Sequence, residues 1–472
     1  MKQIKRKMKT HGTKATWKVE QQISELLHKL PKLDKIFEVH RKIGEGTFSS
    51  VYLGSLKQHV GLREGEKPWF AIKHLVPTAH PARIEHELRC LQDMGGKHNV
   101  IGVELCLRHL DTIVFVMPYI PHRKFSEYVG EMDAEEVRQY MRALMVALQH
   151  VHSFGVIHRD VKPSNFLYDR ENKRYLLVDF GLAQRVCDEP APPPAHASTL
   201  AHKRLREEED DSSPGAKRMA LDLSLRTRSS DVVTAGPGRM VLPKVQIPRQ
   251  NMPKNPPPAH ISGRVTTPAR VCACANVAGV CATCATRVAA RAPRAGTQGF
   301  RPPEVLLKSP RQGTAVDTWA AGVVLASLLT GRYPFFRAGD DVTALAELLD
   351  LLGTEPLQRT AEALGRRVVT SSRRRGLCLR KLAVRLRGAP PPAPPGAMRN
   401  LCTHCRLYVS HCLCRDDSQP ADKIDTTATI VGFPDSAFAL AARLLDPDPR
   451  TRLSARQALL HPFLAETTDN KL

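Results

Sequence analysis

The sequence predicts an α+β chain of two lobes: an N-terminal antiparallel β-sheet with one helix, followed by a mainly helical C-terminal lobe. Strand-like apolar runs flank a glycine-containing turn within residues 37–75. An amphipathic helical pattern over residues 135–154 leads into a polar loop rich in acids and amides. Two later segments, rich in proline and arginine, predict largely disordered inserts within this lobe order.

Composition narrows the class of protein. The chain has 472 residues and a formal net charge of +23, which favours association with polyanions or acidic proteins and leaves direct nucleic-acid binding open. Its apolar runs fall short of the roughly 20 residues that a membrane span needs. The basic stretch Met1–Lys14 is not followed by the apolar segment of a secretory signal. We therefore expect a cytosolic or nuclear protein without a membrane partner, whose cysteines are thiols or metal ligands.

Residues 1–36 are expected to form an N-terminal extension. Apolar residues from Ile23 to Ile36 recur at a near-helical spacing, and Pro31 interrupts the pattern. This predicts a short helix followed by a turn.

A strand, a glycine turn and a second strand are predicted next. Gly44 and Gly46 allow the backbone to approach phosphate oxygens, where a Cβ would obstruct. Ser49 stands where a nucleotide-binding loop of this type has its third glycine, so the turn alone also fits an ordinary hairpin. The candidate nucleotide-binding residues here are Ile43, Gly44, Glu45, Gly46, Thr47, Phe48, Ser49, Ser50 and Val51.

A buried lysine is predicted at the end of the strand that starts at Trp69. Lys73 is placed to neutralise the α- and β-phosphates of a nucleotide, and it needs an acidic partner to fix its position. The helical pattern from Arg83 to Asp93 offers both Glu85 and Glu87. We favour Glu87, because it lies beside the apolar face of that helix.

The adenine site is expected to lie between the lobes. Ala71 is small enough to flank the ring, and Val51 would cover it. The apolar run Thr112–Met117 is predicted to be an edge strand leading into a hinge, with Met117 at the back of the pocket and backbone groups near Tyr119 contacting adenine. Leu167 would form the floor of the site.

The loop from His158 to Asn165 carries the chemistry. Asp160 is the candidate proton acceptor for a substrate hydroxyl, and Lys162 would contact the γ-phosphate. Asn165 and Asp179 are the candidate Mg²⁺ ligands, because hard cations prefer amide and carboxylate oxygens. Acids, amide and lysine at this spacing predict phosphoryl transfer from ATP.

Residues 188–291 are predicted to be the first insert. Split basic clusters at 203–206 and 217–218 are typical of a nuclear-import signal or a phosphate-binding patch, although a solvated run of charge is equally compatible. A set of four cysteines near its end has the pairing and compactness of a tetrahedral Zn²⁺ site, with free or redox-active thiols as the alternative. These cysteines are Cys272, Cys274, Cys281 and Cys284.

Residues 370–422 are predicted to be the second insert, lying between C-lobe segments 292–369 and 423–465, with a tail at 466–472. It is basic and proline-rich, and a second set of paired cysteines follows. Two nearby histidines leave the ligand set open, with free thiols as the alternative. The candidate zinc ligands are Cys402, Cys405, Cys412 and Cys414, and the histidines are His404 and His411.

Together these motifs resemble the eukaryotic protein-kinase family over residues 37–187 and 292–465. The resemblance implies the bilobal protein-kinase fold, ATP and Mg²⁺ as cofactors, and transfer to serine or threonine. It also implies that Thr297 bridges Asp160 and Lys162. By the same likeness, Asp317 supports the catalytic-loop backbone and Arg452 pairs with Glu304.

Several stretches are similar to the cell-division-cycle-seven branch of that family, notably Asp160–Tyr168, Val178–Gln184 and Ala292–Thr297. This likeness implies an activating Dbf-family regulatory subunit, MCM helicase subunits as substrates, and a nuclear role in starting DNA replication during the cell cycle. It also implies acidic target sites, for which Arg301 is a candidate contact, with a structural role for Arg301 as the alternative. A pseudokinase or a zinc-bearing nuclear scaffold is the alternative, but Lys73 and the acidic residues that transfer requires are present.

Overall fold

The computed structural model describes residues 14–46, 48–59, 61–63, 65–76, 81–186, 292–388, 401–408, 411–415 and 429–465. Thr47, the first insert with its four cysteines and basic clusters, and the tail at 466–472 therefore lie outside the described residues. None of the helices in the described ranges has the length and apolar character needed to cross a bilayer.

Eleven strands form within these ranges. They are β1 (Phe37–Glu45), β2 (Ser49–Leu56), β3 (Trp69–Leu75), β4 (Leu105–His109), β5 (Thr112–Pro118), β6 (Val156–Ile157), β7 (Phe166–Asp169), β8 (Arg174–Leu177), β9 (Gln184–Arg185), β10 (Thr429–Ile430) and β11 (Phe433–Pro434).

Twelve α-helices accompany the strands in the described part of the chain. They are α1 (Lys14–Lys29), α2 (Pro31–Ile36), α3 (Pro81–Asp93), α4 (Phe125–Tyr128), α5 (Ala134–Ser153), α6 (Pro303–Leu306), α7 (Ala315–Thr330), α8 (Asp341–Leu352), α9 (Thr354–Ala363), α10 (Leu379–Leu386), α11 (Asp435–Leu444) and α12 (Ala455–Leu459).

The N-terminal lobe is a five-stranded antiparallel sheet in the order β1-β2-β3-β5-β4. The predicted antiparallel sheet is confirmed, but the prediction that Thr112–Met117 forms the edge strand is wrong. β4 occupies that edge and β5 lies inside it, paired with β3 and β4. The burial of the two strands fits this order, because β5 is mostly buried while β4 is mostly exposed or half-buried.

The N-terminal extension covers one face of this sheet. Leu26 from α1, Leu33 from α2 and Leu30 between the two helices pack with Ile72 and Val116 in one apolar cluster. The predicted short helix is longer than expected, and Pro31 starts a second helix where only a turn was predicted. A proline is tolerated at the first helical position because its missing N–H has no intrahelical acceptor there.

The C-terminal lobe is built around α5 and α7. The predicted amphipathic helix at 135–154 is confirmed as α5, and Asp133 caps its start by accepting the Glu136 N–H at 2.7 Å. Helix α7 is buried along nearly its whole length. At Gly322, an added Cβ would lie 2.9 Å from the Cβ of Leu444, so glycine lets α7 approach α11 closely.

Part of the second insert is folded, contrary to the expectation that it would be largely disordered. Helix α10 lies within it, and Ala383 on that helix is fully buried against the C-lobe core. The apolar residues Leu379, Leu382 and Leu386 follow a helical spacing, but the sequence analysis assigned the segment to the second insert because it is basic.

A buried ion pair joins the two ends of the C-terminal lobe. Glu304 and Arg452 form two parallel hydrogen bonds of 2.8 and 3.0 Å, and the Arg452 guanidinium lies 5.1 Å from the Trp319 ring centroid. Arg452 also donates to the carbonyl oxygens of Asp446 and Ala315. The pairing expected from the family resemblance is confirmed.

Removing one member of this pair should destabilise the fold. We expect Arg452→Met to lower the free energy of unfolding by about 3–5 kcal/mol, because it leaves the Glu304 carboxylate buried without its partner. Urea unfolding followed by tryptophan fluorescence measures the change.

Arg450→Met is the matched control, because Arg450 pairs with Asp448 at the protein surface. Its urea midpoint should stay close to that of the parent chain. Equal midpoints for the two variants would contradict the stabilising role of the buried pair.

Candidate active site

Three predicted site residues surround Asp160, which lies on the loop between β6 and β7: Lys162 and Asn165 from the same loop, and Thr297 from a later segment. The Thr297 hydroxyl donates to Asp160 Oδ1 at 2.6 Å, and Lys162 Nζ lies 2.8 Å from Asp160 Oδ2. Lys162 also donates to the Thr297 hydroxyl at 2.7 Å, and the Asn165 amide donates to Asp160 Oδ2 at 2.9 Å. The bridge that the resemblance implied for Thr297 is therefore present.

Asp317, near the start of α7, holds the backbone of this loop. Its carboxylate accepts the N–H groups of His158 and Arg159, each at 2.8 Å, and the His152 ring nitrogen lies 2.9 Å away. Complete burial opposes ionisation, but these hydrogen bonds outweigh it and lower the pKa of Asp317. Arg159 has a φ of +68°, so the loop bends sharply just before Asp160.

A second cluster joins the two lobes at Lys73. Its ammonium lies 2.5 Å from Glu87 Oε1 and 2.8 Å from Asp179 Oδ1. Burial opposes the charge of Lys73, yet the two carboxylates raise its pKa, so the residue is a cation at neutral pH. Asp179 is ionised too, because Lys73 lowers its pKa against the effect of burial.

The choice between two glutamates on α3 is settled by their direction. Glu87 is buried and contacts Lys73, whereas Glu85 is exposed and pairs with Arg89 one turn further along the helix. The preference for Glu87 is confirmed.

A cavity of about 310 Å³ lies between the Lys73 and Asp160 clusters. Nine of the predicted site residues line it, and these are Gly46, Phe48, Ser49, Lys73, Glu87, Asp160, Lys162, Asp179 and Thr297. The sequence prediction missed further lining residues, namely Leu75, Arg83, Ile84, Gly181, Leu182 and Gly296.

Of the residues that the sequence prediction missed, Arg83 is the one that its spacing from Glu87 could have revealed. It precedes Glu87 by four positions, so the two side chains share one face of α3. Its guanidinium donates to the Gly181 carbonyl oxygen at 3.0 Å and lies 4.9 Å from the Phe48 ring centroid. Arg83 therefore links the glycine loop to the segment after Asp179.

Two glycines keep this cavity open. A Cβ on Gly181 would lie 3.2 Å from Asp179 Oδ1 and 3.4 Å from Glu87 Oε2. Gly296 has a φ of +112°, and a Cβ there would lie 2.8 Å from the Arg159 carbonyl oxygen. Larger residues would displace the carboxylates or the catalytic loop.

The residues predicted to surround adenine lie outside the lining of this cavity. Ala71 lies two residues before Lys73 on β3 and is paired with Met117 of β5. Val51 of β2 is paired with Lys73. The Tyr119 N–H donates to the Trp69 carbonyl oxygen of β3 at 3.0 Å, so this N–H already has an acceptor within the protein. The nucleotide-binding roles stay predictions for Ile43, Gly44, Glu45, Ser50, Val51, Ala71, Met117, Tyr119 and Leu167.

The arrangement suits a hard divalent cation. Asn165 donates its amide hydrogens to the carboxylate and carbonyl oxygen of Asp160, so its side-chain oxygen is the atom it can offer to Mg²⁺. The ionised Asp179 carboxylate lines the same cavity. Oxygen ligands of this kind fit the predicted Mg²⁺ role of both residues.

Two arginines near Thr297 share one acidic partner. Arg301 Nη1 lies 2.8 Å from Asp341 Oδ1, and Arg294 Nε lies 2.6 Å from Asp341 Oδ2. Both arginines lower the pKa of Asp341, although burial acts in the opposite direction. The sequence prediction named Arg301 alone. Arg294 lies in the stretch Ala292–Thr297 that carries the family resemblance, but neither a role for Arg294 nor the shared partner Asp341 was predicted.

The second cysteine set converges in space. The sulfur atoms of Cys402, Cys405, Cys412 and Cys414 all lie within 4.8 Å of one another. His404 and His411 are not members of this group, which removes the ambiguity left by the sequence.

Comparison with known proteins agrees with this geometry. The family described as "Protein kinase domain" matches residues 37–201 and 279–464. The "non-specific serine/threonine protein kinase Cdc7" of Drosophila melanogaster is 36% identical, with 94% of this chain and 77% of the relative covered.

Two mammalian relatives cover this chain equally well. The "Cell division cycle 7-related protein kinase" of Mus musculus is 34% identical, with 95% of this chain and 94% of the relative covered. Its Homo sapiens counterpart is 33% identical, with 95% and 93% covered. The chain therefore belongs to the protein-kinase family, within its Cdc7 branch, and is a serine/threonine protein kinase.

Proposed function

We propose that this kinase phosphorylates acidic serine and threonine sites on MCM helicase subunits in the nucleus. We further propose that a Dbf-family regulatory subunit activates it, and that the reaction triggers DNA replication at the G1/S transition. The observation that carries the catalytic part is the convergence of Lys73, Asp160 and Asp179 on one cavity. The likeness to Cdc7 kinases supports the choice of substrate and partner.

The proposed mechanism gives each side chain a role in transfer, and the observed contacts support these roles. Bound ATP with Mg²⁺ supplies the phosphoryl group and neutralises part of its charge. Asp160 orients the substrate hydroxyl and accepts its proton, and Thr297 fixes the carboxylate by donating to Oδ1. Lys73, held in position by Glu87, would bind the inner phosphates of ATP, and Lys162 would bind the outer phosphate.

Acidic targets are favoured by the arginine pair near Thr297. Arg294 and Arg301 present two guanidinium groups to the single carboxylate of Asp341, which leaves one excess positive charge beside the catalytic loop. A substrate carboxylate or phosphate beside the acceptor hydroxyl would be attracted by that charge. Because this excess positive charge is local, the recognition depends on an acidic group next to the acceptor hydroxyl, and less on the overall charge of the substrate.

Catalysis should depend on Asp160 and Lys73. We expect Asp160→Asn to lower kcat by about 100- to 10,000-fold, because the proton acceptor is lost. Lys73→Ala should abolish measurable transfer while the chain still folds. The assay is ATP-dependent phosphorylation of an MCM tail peptide.

Glu85→Gln is the matched control, because Glu85 lies on the same helix as Glu87 but is exposed and pairs with Arg89. Its activity should equal that of the parent. Full activity in both the Asp160 and the Lys73 variants would overturn the catalytic assignment.

Arg301 should set the preference for acidic sites. For Arg301→Gln, we expect the ratio of kcat/KM between an acidic peptide and its alanine-substituted counterpart to fall about ten-fold, since hydrogen bonds to charged groups contribute about 1.5 kcal/mol or more. Arg311→Gln, at an exposed position nearby, is the control. An equal loss on both peptides would assign Arg301 a purely structural role.

The regulatory subunit should raise activity on the same peptide. We expect the co-expressed complex to show a higher kcat than the isolated chain, with the Asp160→Asn complex inactive. Equal rates with and without the subunit would remove the activation proposal and leave the catalytic assignment intact.

A further inference from the structure

Four cysteines of the second insert lie close together, and none of them lines the active-site cavity. We propose that Cys402, Cys405, Cys412 and Cys414 bind one structural Zn²⁺ ion that fastens the insert, with helix α10, to the lobe. The proposal does not rest on the proposed substrate or partner.

The sulfur positions fit one tetrahedral ion. All four Sγ atoms lie within 4.8 Å of one another, and all four residues are free thiols. Four thiolates about 2.3 Å from a zinc ion would lie about 3.8 Å apart, so only small side-chain movements close the site. The cluster offers soft ligands alone, which favours Zn²⁺ over the Mg²⁺ expected at Asn165 and Asp179.

The backbone around the sulfurs is arranged for thiolates. The His404 N–H points to Cys402 Sγ at 3.5 Å, and the Cys414 N–H points to Cys412 Sγ at 3.3 Å. Each bond joins an amide to the sulfur two residues earlier, once in each half of the cluster. Such donors offset the negative charge that remains when four thiolates bind a divalent ion.

The two halves of the cluster belong to different local structures. Cys402 and Cys405 lie in a tight turn closed by the Leu401–Tyr408 bridge and by the Cys402 N–H, which donates to the Leu407 carbonyl oxygen at 2.7 Å. Cys412 and Cys414 lie on an extended segment that the Leu377–Cys414 bridge joins to the residues just before α10. A metal ion held by all four would tie the turn to that segment.

Helix α10 connects the cysteine segment to the C-terminal lobe, because hydrogen bonds at its start bind that segment and hydrogen bonds at its end bind α7. The Cys378 N–H donates to the Leu413 carbonyl oxygen at 2.8 Å, and Lys381 Nζ donates to that of Cys414 at 3.3 Å. At the far end of the helix, Arg387 donates to the carbonyl oxygens of Leu328 and Leu329, at 2.6 and 2.8 Å. These bonds satisfy acceptors in the last turn of α7.

Binding is an exchange of protons for metal. Each ligating thiol forms a bond from sulfur to zinc and releases its proton to solvent, with no change of oxidation state. No oxidant is required, which separates this site from a pair of disulfides.

The test measures bound zinc in the full-length chain. A background variant replaces Cys272, Cys274, Cys281 and Cys284 by serine, so that metal bound at the other cysteine set does not contribute. We expect this background to retain one zinc ion per chain by native mass spectrometry and elemental analysis. Adding Cys402→Ser and Cys405→Ser should remove it, whereas adding Cys106→Ser, at an exposed cysteine outside the cluster, should not.

If the background variant fails to fold, the same comparison is made with the first set intact. The Cys402→Ser/Cys405→Ser chain should then hold one zinc ion fewer than the parent. Equal zinc content in that pair, or a mass showing two disulfides among these cysteines, would overturn the proposal.

Hydrogen exchange tests the structural part. Removing zinc from the background variant with a chelator should raise amide exchange in α10 (residues 379–386) and leave that of α5 unchanged. Loss of the metal without faster exchange in α10 would show that the ion does not fasten the helix to the lobe.

Discussion

The buried carboxylate of Asp317 is the interaction on which the active site depends. It is fully enclosed, so its charge must be balanced by hydrogen bonds within the protein, and two of these come from the backbone N–H groups of His158 and Arg159. These bonds hold Arg159 in its left-handed conformation. The position of Asp160 is therefore determined by a residue on α7, far away along the chain.

Helix α7 can serve as that support because it is itself enclosed by packing. Gly322 allows α11 to approach closely, Arg452 lies against Trp319, and Arg387 from α10 satisfies carbonyl oxygens at its last turn. The catalytic loop thus rests on a helix fixed at its middle and at both ends. Displacement of these contacts would be transmitted to the backbone before Asp160 through the Asp317 carboxylate.

The N-terminal lobe depends in a similar way on one charged residue. Lys73 holds Glu87 from α3 and Asp179 from the segment after β8, so a single cation connects the two lobes. Arg83 adds a second connection by bonding the Gly181 carbonyl oxygen. Since the carboxylates repel one another without Lys73, the closed arrangement of the cavity requires its charge.

The sequence by itself determined the chemistry of this protein. The order of the glycine turn, Lys73, the loop at Asp160 and Asp179 specified the fold class and the kinase activity, because phosphoryl transfer needs those side-chain types at fixed local spacing. Helices such as α5 could also be predicted from the sequence, since their amphipathic pattern and cap are local features.

Only the tertiary structure decided which distant groups meet. It placed β4 at the sheet edge, gave Arg294 and Arg301 the same partner in Asp341, and folded α10 out of a basic segment. It also brought four cysteines together and left their neighbouring histidines outside the group. The reason is physical: such contacts depend on how remote segments pack, and residue type and spacing along the chain do not encode that packing in any local pattern.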